Sequence, residues 1–205
     1  MALVEERFPL FPLGIVLLPT EIVPLHIFED RYKLMIGQCV EQETEFGIVW
    51  LSDDGLKEIG CSARVAEVLD QLEDGRMNIL VQGCRPFRLL RKIEDLPYPA
   101  GDVEFLDDTD EGDELLAAEA RGAYADLVET ITDERPGVDE LDGLTAYGMA
   151  ATIELADAPK QALLEERSED ARLKTVGDLF ATALHRIENA DEAQERAKSN
   201  GKVRF

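Results

Sequence analysis

Hydrophobic positions change their period along the chain, and the changes predict its elements. From Phe8 to Phe28 apolar residues run almost without interruption, yet Pro9, Pro12, Pro19 and Pro24 punctuate the run. A helix would break at each proline and a central strand would lose ladder hydrogen bonds there. The stretch therefore predicts two short strands, near 8–12 and 21–28, joined by an ordered turn. The period then becomes helical. Phe28, Tyr32, Met35, Ile36 and Cys39 share one face of a 3.6-residue repeat, and Glu29, Asp30, Lys33 and Gln38 share the other. That spacing predicts a helix over 28–40 with Phe28 and Tyr32 turned inward. Glu29 and Asp30 suit its positive N-terminal end.

Strand patterns follow. Residues 45–51 read as a buried strand, broken by Ser52-Asp53-Asp54-Gly55. A long strand at 59–72 meets the hairpin signal Asp74-Gly75. Residues 77–83 return antiparallel, with Met77, Ile79 and Val81 on one face and Asn78, Leu80 and Gln82 on the other. A strand over 85–93 carries Pro86, which predicts a strand start or an edge, and 101–106 is the last strand. Many short strands separated by Gly and Pro turns predict a small antiparallel barrel or folded sheet.

The pattern shifts again at Asp107. Six carboxylates between Asp107 and Glu114 predict a solvated linker running into a helix N-terminus. Beyond it Leu116, Ala120, Ala123, Tyr124, Leu127 and Ile131 form one helical stripe, stopped by Arg135-Pro136-Gly137. A second helix is predicted with Asp139 as its cap and Leu141, Leu144, Gly148, Ala151 and Leu155 inward. A third starts with Pro159 at its first position. A longer one is capped by Ser168 and repeats Leu173, Val176, Phe180, Leu184 and Ile187. The polar stretch 190–205 is expected to fray. The fold class is α+β: a β-rich subdomain over 1–107, with one helix, followed by a helical bundle over 108–205.

Composition narrows the setting. With 45% hydrophobic residues among 205, the chain can bury a sizeable core. Its apolar runs fall short of the roughly 18 residues that span a bilayer. The acidic start Met1-Ala2-Leu3-Val4-Glu5-Glu6-Arg7 lacks the basic region of a signal peptide. A cytoplasmic protein with no membrane partner is expected. The net charge is −23, with −7 in residues 1–100 and −16 in 101–205. Such a polyanion is repelled by nucleic-acid phosphates and anionic lipid, which argues against nucleic acid as a partner.

Chemistry-bearing residues are sparse. Cys39, Cys61 and Cys84 sit among apolar neighbours without a Cys-x-x-Cys pair and read as buried free thiols. His26 and His185 lie far apart in the sequence, without metal-ligand spacing. His26 reads as a packed, hydrogen-bonded residue and His185 as exposed. None of Ser52, Ser62, Ser168 and Ser199 lies in Gly-x-Ser-x-Gly. No catalytic, metal or cofactor-binding residue is therefore assigned, and no cofactor is implied. The candidate partner-binding residues are Trp50, Arg85, Phe87, Arg88 and Arg91. The arginines, with Lys92, form the one basic island. It suits a groove for an acidic peptide or an RNA backbone, or else an edge strand protected by charge or paired with the chain's own carboxylates. Trp50 suits a groove wall or the core.

The segments Phe8-Pro9-Leu10-Phe11-Pro12-Leu13-Gly14-Ile15-Val16-Leu17-Leu18-Pro19 and Val23-Pro24-Leu25-His26-Ile27-Phe28-Glu29-Asp30-Arg31-Tyr32 carry a resemblance. So do Ile59-Gly60-Cys61-Ser62-Ala63, Ile79-Leu80-Val81-Gln82-Gly83, Phe87-Arg88-Leu89-Leu90 and, later, Lys160-Gln161-Ala162-Leu163-Leu164-Glu165 with Arg172-Leu173. Together they resemble the Lon protease N-terminal, substrate-binding domain family, over about residues 8–190. The resemblance implies a PUA-like β half and a helical bundle. In full Lon proteases this domain precedes an ATPase and a Ser-Lys peptidase and helps engage unfolded or tagged substrates. This sequence has no Gly-x-x-x-x-Gly-Lys-Ser/Thr loop, and it ends before a peptidase domain could begin. The resemblance therefore implies a stand-alone substrate-binding domain that is not an enzyme. Its expected partners are protein or peptide segments, among them unfolded chains or an ATP-dependent protease. An RNA-binding PUA-like module, a small-molecule-binding domain and a hydrolase with an unrecognised site stay open as alternatives.

If the proline-punctuated stretch is core, an unpaired carboxylate within it cannot be tolerated. Leu10→Asp and Leu25→Asp are each expected to unfold the β half. Thermal melting followed by circular dichroism checks this, and near-native melting of both variants would place the stretch at the surface.

Overall fold

The computed structural model describes residues 3–200. Strand β1 (Val4–Leu13) crosses the whole β half. It pairs antiparallel with β7 (Ala100–Phe105) through Pro9, then parallel with β3 (Phe46–Ser52) from Leu10 onward. A bulge between Glu5 and Phe8 accommodates Arg7, whose φ is 58°; its N–H donates to Asp102 Oδ1 at 3.1 Å. Leu10 N–H donates to the Pro99 carbonyl at 2.8 Å. The nitrogen of Pro12 points the same way, past the end of β7, so its missing N–H costs no ladder bond.

The remaining strands are β2 (Ile22–Ile27), β4 (Gly55–Leu56), β5 (Ile59–Gln71) and β6 (Met77–Ile93). Among the described residues the sheet order is β1-β7-β6-β5-β3-β4, with β2 on β6, and the added β1–β3 pairing closes five of the strands into a ring. The α+β reading holds, with one difference in β6. Residues 77–83 and 85–93 form a single strand, and Pro86 lies in its interior, not at a start or an edge. The ladder tolerates it because β6 bulges beside it, with three steps from Gly83 to Pro86 opposing two from Cys61 to Ala63 on β5, while the Pro86 carbonyl still accepts from Leu106.

Inside the ring, Phe8, Leu10, Val49, Phe87, Val103 and Phe105 form one buried cluster. The rings of Phe8, Phe87 and Phe105 meet edge to face, with centroids 5.6, 5.7 and 6.4 Å apart. Glycines on two neighbouring strands make the room. A Cβ on Gly47 or Gly60 would stand 2.5 or 2.9 Å from the Phe87 Cζ.

The ring's outer face is covered by helix α1 (Asp30–Gln42), which buries Tyr32, Met35, Ile36 and Cys39. The Phe11 and Tyr32 rings lie 4.1 Å apart. Phe28, expected to point inward, is 60% exposed. The helix begins at Asp30 with Glu29 as its N-cap, so Phe28 precedes the helical repeat and does not share its buried face. Leu10 is enclosed as the stretch's core role requires, whereas Leu25 is half-buried.

Between β1 and β2 the chain forms a strap. Val16, Leu17 and Leu18 are all buried, although the strap is neither helix nor strand. Its polar groups are met by side chains: Val16 N–H donates to Asp157 Oδ1 (2.8 Å) and Leu18 N–H to Glu21 Oε2 (2.9 Å). Lys160 Nζ lies 2.5 Å from Glu21 Oε1 and both side chains are nearly buried. Gly83 on β6 lets the strap approach, since a Cβ there would run into the Leu18 carbonyl.

The helical half comprises α2 (Glu114–Thr132), α3 (Val138–Leu141), α4 (Ala146–Ala150), α5 (Asp157–Glu165) and α6 (Glu169–Asn200). Helices α2 and α6 run side by side, with Asp113 N–H on Asp170 at one point and Tyr124 against Phe180 further along. Ile131, placed on the α2 stripe by its spacing, is exposed. The single helix expected after Pro136 is instead two short ones, divided at Gly143 with φ 70°. Gly137, not Asp139, is the first N-cap, with Glu140 accepting from the Gly137 N–H; Thr145 caps the next helix. Pro159 is the third residue of α5, not its first. Ser168 Oγ accepts from Ala171 N–H, the predicted cap. Helix α6 continues past 190 to Asn200; residues 201–205 lie outside the described residues.

The acidic connector is mostly exposed and runs into the N-terminus of α2, as expected, but it is anchored along its length. Asp113 caps α2, and the Asp107 carbonyl accepts from Arg167 at 2.6 and 3.0 Å. Asp108 pairs at 2.5 Å with Arg172, which is 1% exposed, lies over the Tyr147 ring and also pairs with Glu169. A guanidinium taken out of water demands these acceptors, and they draw the connector onto α6.

Two outcomes test this framework by urea denaturation. Gly83→Ala is expected to lower stability by about 1–3 kcal/mol, because the strap backbone has to move. Arg172→Ala is expected to cost about 3–5 kcal/mol by leaving Glu169 buried without its counter-ion.

Candidate functional site

The five residues singled out from the sequence do not form one surface. Phe87 fills the ring interior, fully buried, and cannot touch a partner. Arg85, Arg88 and Arg91 are exposed, but each faces a carboxylate: Glu45 at 4.0 Å, Glu104 at 3.7 Å and Asp102 at 2.6 Å. Arg85 also lies over the Phe105 ring at 3.6 Å. The Arg91 hydrogen bonds, followed by the Arg7 N–H, hold the Asp102 carboxyl below its usual range. Arg88 and Arg91 therefore form ion pairs across the β6–β7 ladder and Arg85 pairs with Glu45 beside β3, on a strand with neighbours on both sides and not at an edge. Trp50 sits two strands away on β3, half-buried against the main core, with Lys57 Nζ 5.5 Å from its ring centroid.

The apolar surface lies elsewhere. One concavity of about 450 Å³ is lined by Phe11, Leu13, His26, Phe28, Tyr32 and Leu51. A second, of about 400 Å³, is lined by Leu10, Leu56, Ile93, Leu96, Pro97 and Tyr98. Pro12, Arg31 and Pro99 line both, so the two form one bipartite groove. Phe28 and Leu51 are 60% and 53% exposed. Leu51 follows Trp50 on β3 and so faces the opposite way. The bend 94–99 forms the far wall, anchored by the Tyr98 hydroxyl donating to Gln38 Oε1 at 2.9 Å.

Polar groups in the groove are held in place. Arg31 Nε donates to Glu29 Oε2 at 2.9 Å, its Nη2 lies 2.8 Å from the same oxygen, and its Cζ stands 4.6 Å above the Tyr32 ring. Burial pushes the Tyr32 phenol up from its ordinary value. His26, expected to be packed, is exposed; its Nδ1 is 2.7 Å from Asn78 Oδ1 and its ring stacks on Phe28. Strand alternation accounts for this, because Ile22, Pro24 and His26 share the outward face of β2.

Elsewhere, His185 is exposed on α6, as expected. Cys39 and Cys61 are buried free thiols, and Cys84 is a partly exposed one. Burial pushes Cys61 well above its usual value and, with the neighbouring Glu45 adding to it, Cys84 up to about 11. Both are thiols, not thiolates, at neutral pH. Among the described residues no group of three or more His, Cys, Asp and Glu side chains is placed to hold a metal ion. No helix of the described residues is long and apolar enough to cross a membrane.

Sequence reasoning missed Phe28, Leu51 and Arg31. Phe28 carried a usable signal: the acidic pair Glu29-Asp30 marks a helix start, which leaves the preceding residue outside the helical face. Leu51 carried another in its position at the strand's end, where alternation turns it away from the core.

Known proteins resemble the chain over most of its length. The family model for the ATP-dependent protease La (LON) substrate-binding domain matches residues 7–182. Lon protease of Paraburkholderia phytofirmans is 27% identical, over 96% of this chain and 27% of its own length. Lon protease of Anaeromyxobacter dehalogenans is 27% identical, over 84% of this chain and 22% of its own. The chain thus spans about a quarter of the length of the curated relatives it matches. Among solved structures, the Lon N-terminal domain protein from Xanthomonas campestris aligns with a TM-score of 0.63 at 25% identity, covering 83% of this chain and 96% of that one. The N-terminal domain of Mycobacterium avium complex Lon protease shares the fold, with a TM-score of 0.65 at 21% identity over 86% of this chain and 98% of that one. A ring of strands with a strap, a covering helix and a trailing bundle, matched by that family model over most of its residues, belongs to the Lon substrate-binding domain family.

Proposed function

We propose that this chain binds extended, apolar segments of other proteins in the bipartite groove, as a substrate-recognition or adaptor unit, and contributes no bond-breaking step of its own. The observation that carries the reading is the pair Phe28 and Leu51, both more than half exposed and lining one concavity. Soluble proteins seldom leave large apolar side chains gathered around a cleft without a partner for them. The family description supports the choice of partner, since its members' domain is named for substrate binding. Unfolded chains are the natural occupants, because they expose apolar side chains that a folded surface hides. An ATP-dependent protease is the corresponding recipient, and the cytoplasm the setting.

The test is fluorescence anisotropy with a labelled, permanently unfolded chain, a reduced and alkylated protein. Phe28→Asp and Leu51→Asp sit on the surface, so their stability is expected to change by about 0.5 kcal/mol or less. Their affinity for the unfolded chain is expected to fall about tenfold or more, as for a central apolar anchor. Unchanged binding in both variants would move the site away from the groove.

A further inference from the structure

We infer that the groove selects segments carrying an acidic residue between two apolar ones, with Arg31 and Lys92 as its specificity-determining residues. The inference rests on the groove being the binding site, and it adds what the groove reads besides apolar bulk.

The first observation is what the walls lack. Pro12, Pro97 and Pro99 stand along the groove and none has a backbone N–H. An occupant along this wall is not taken as an added strand, because the donors for a ladder are missing. Its polar groups must be met by side chains.

The second is the position and state of Arg31. It lines both concavities, so it stands where an occupant passes from one apolar subsite to the other. Glu29 holds Nε and Nη2, and the Tyr32 ring supports the guanidinium plane. Among the described residues Nη1 has no hydrogen-bond partner. An oriented fork with free donors suits a carboxylate.

The third is charge. The chain holds 44 carboxylate side chains against 21 lysines and arginines, and its cations mostly pair within the fold. Lys92 is exposed, lines the second concavity, and among the described residues has no carboxylate within 4 Å, although Glu94 lines the same wall. Two cations and two carboxylates line the groove; Glu29 is engaged by Arg31, while Lys92, which lines one concavity with Arg31, is left to pair with a carboxylate of the occupant.

Capped peptides of about twelve residues provide the probe, with Leu and Phe anchors separated by one to three residues and Glu, Gln or Lys among these. At low salt the Glu peptide is expected to bind the intact protein about 3–5-fold more tightly than the Gln peptide, the size of a partly exposed ion pair, and the Lys peptide more weakly. The preference is expected to shrink at high salt. In Arg31→Gln/Lys92→Gln the ratio of Glu- to Gln-peptide affinity is expected to fall to about one and to lose its salt dependence, which a merely structural role would not produce. Equal binding of Glu and Gln peptides, with both abolished by Phe28→Asp, refutes the inference and leaves the groove standing. A Glu preference that survives in the double variant also refutes it. Failure of every peptide to bind, or binding insensitive to Phe28→Asp, refutes the groove and the inference together.

Discussion

The contact between the Leu18 carbonyl and Gly83 sets the molecule's geometry. It brings an irregular segment, Val16 to Leu18, against the middle of the longest strand, and buries three large apolar side chains where the β half meets the helices. An irregular backbone can be buried only if its amides and carbonyls find partners. Here Asp157, Glu21 and Lys160 supply them from the segment's own turn and from α5. Hydrophobic burial draws the strap in, and these polar contacts fix where it stops.

The groove depends on the same anchor. Phe11, Pro12 and Leu13 lie immediately before the strap, and His26, Ile27 and Phe28 follow it across β2. One rigid segment thus sets the spacing of two groove walls. A site built on paired strands keeps its shape more closely than one carried on loops. The 94–99 bend is the exception, and the Tyr98–Gln38 hydrogen bond ties it to α1.

Most of the architecture was legible because burial and period agree. A short apolar run marked β3, the Asp74-Gly75 turn and alternation over 77–83 marked the hairpin, and the 3.6-residue repeat marked α1, α2 and α6. What failed did so where a local rule met a tertiary one. Pro86 signals an edge by itself, but a bulge in its own strand, between Gly83 and Pro86, lets it sit inside. The connector 107–114 reads as unanchored until two arginines some sixty residues later draw it in, Arg167 on the Asp107 carbonyl and Arg172 on the Asp108 carboxylate. The site was less legible than the fold. Arginines spaced along β6 resemble a binding patch, and only the strand register reveals Glu104 and Asp102 opposite them. Phe87 is core, its ring enclosed between Phe8 and Phe105, whereas Trp50 is half-buried at the margin of the main core.

The aromatic core of the ring also bears on how such a chain can diverge. Phe87 fits because Gly47 and Gly60 are bare beneath it. The volume at one position is therefore exchanged against that at two others, on separate strands. Drift in this interior has to proceed through coordinated changes: a side chain at 47 needs room from both Phe87 and Leu10, and one at 60 also meets the Ile48 carbonyl. Surface positions along the groove carry no such coupling. The fold can therefore vary its surface along the groove far more freely than its interior.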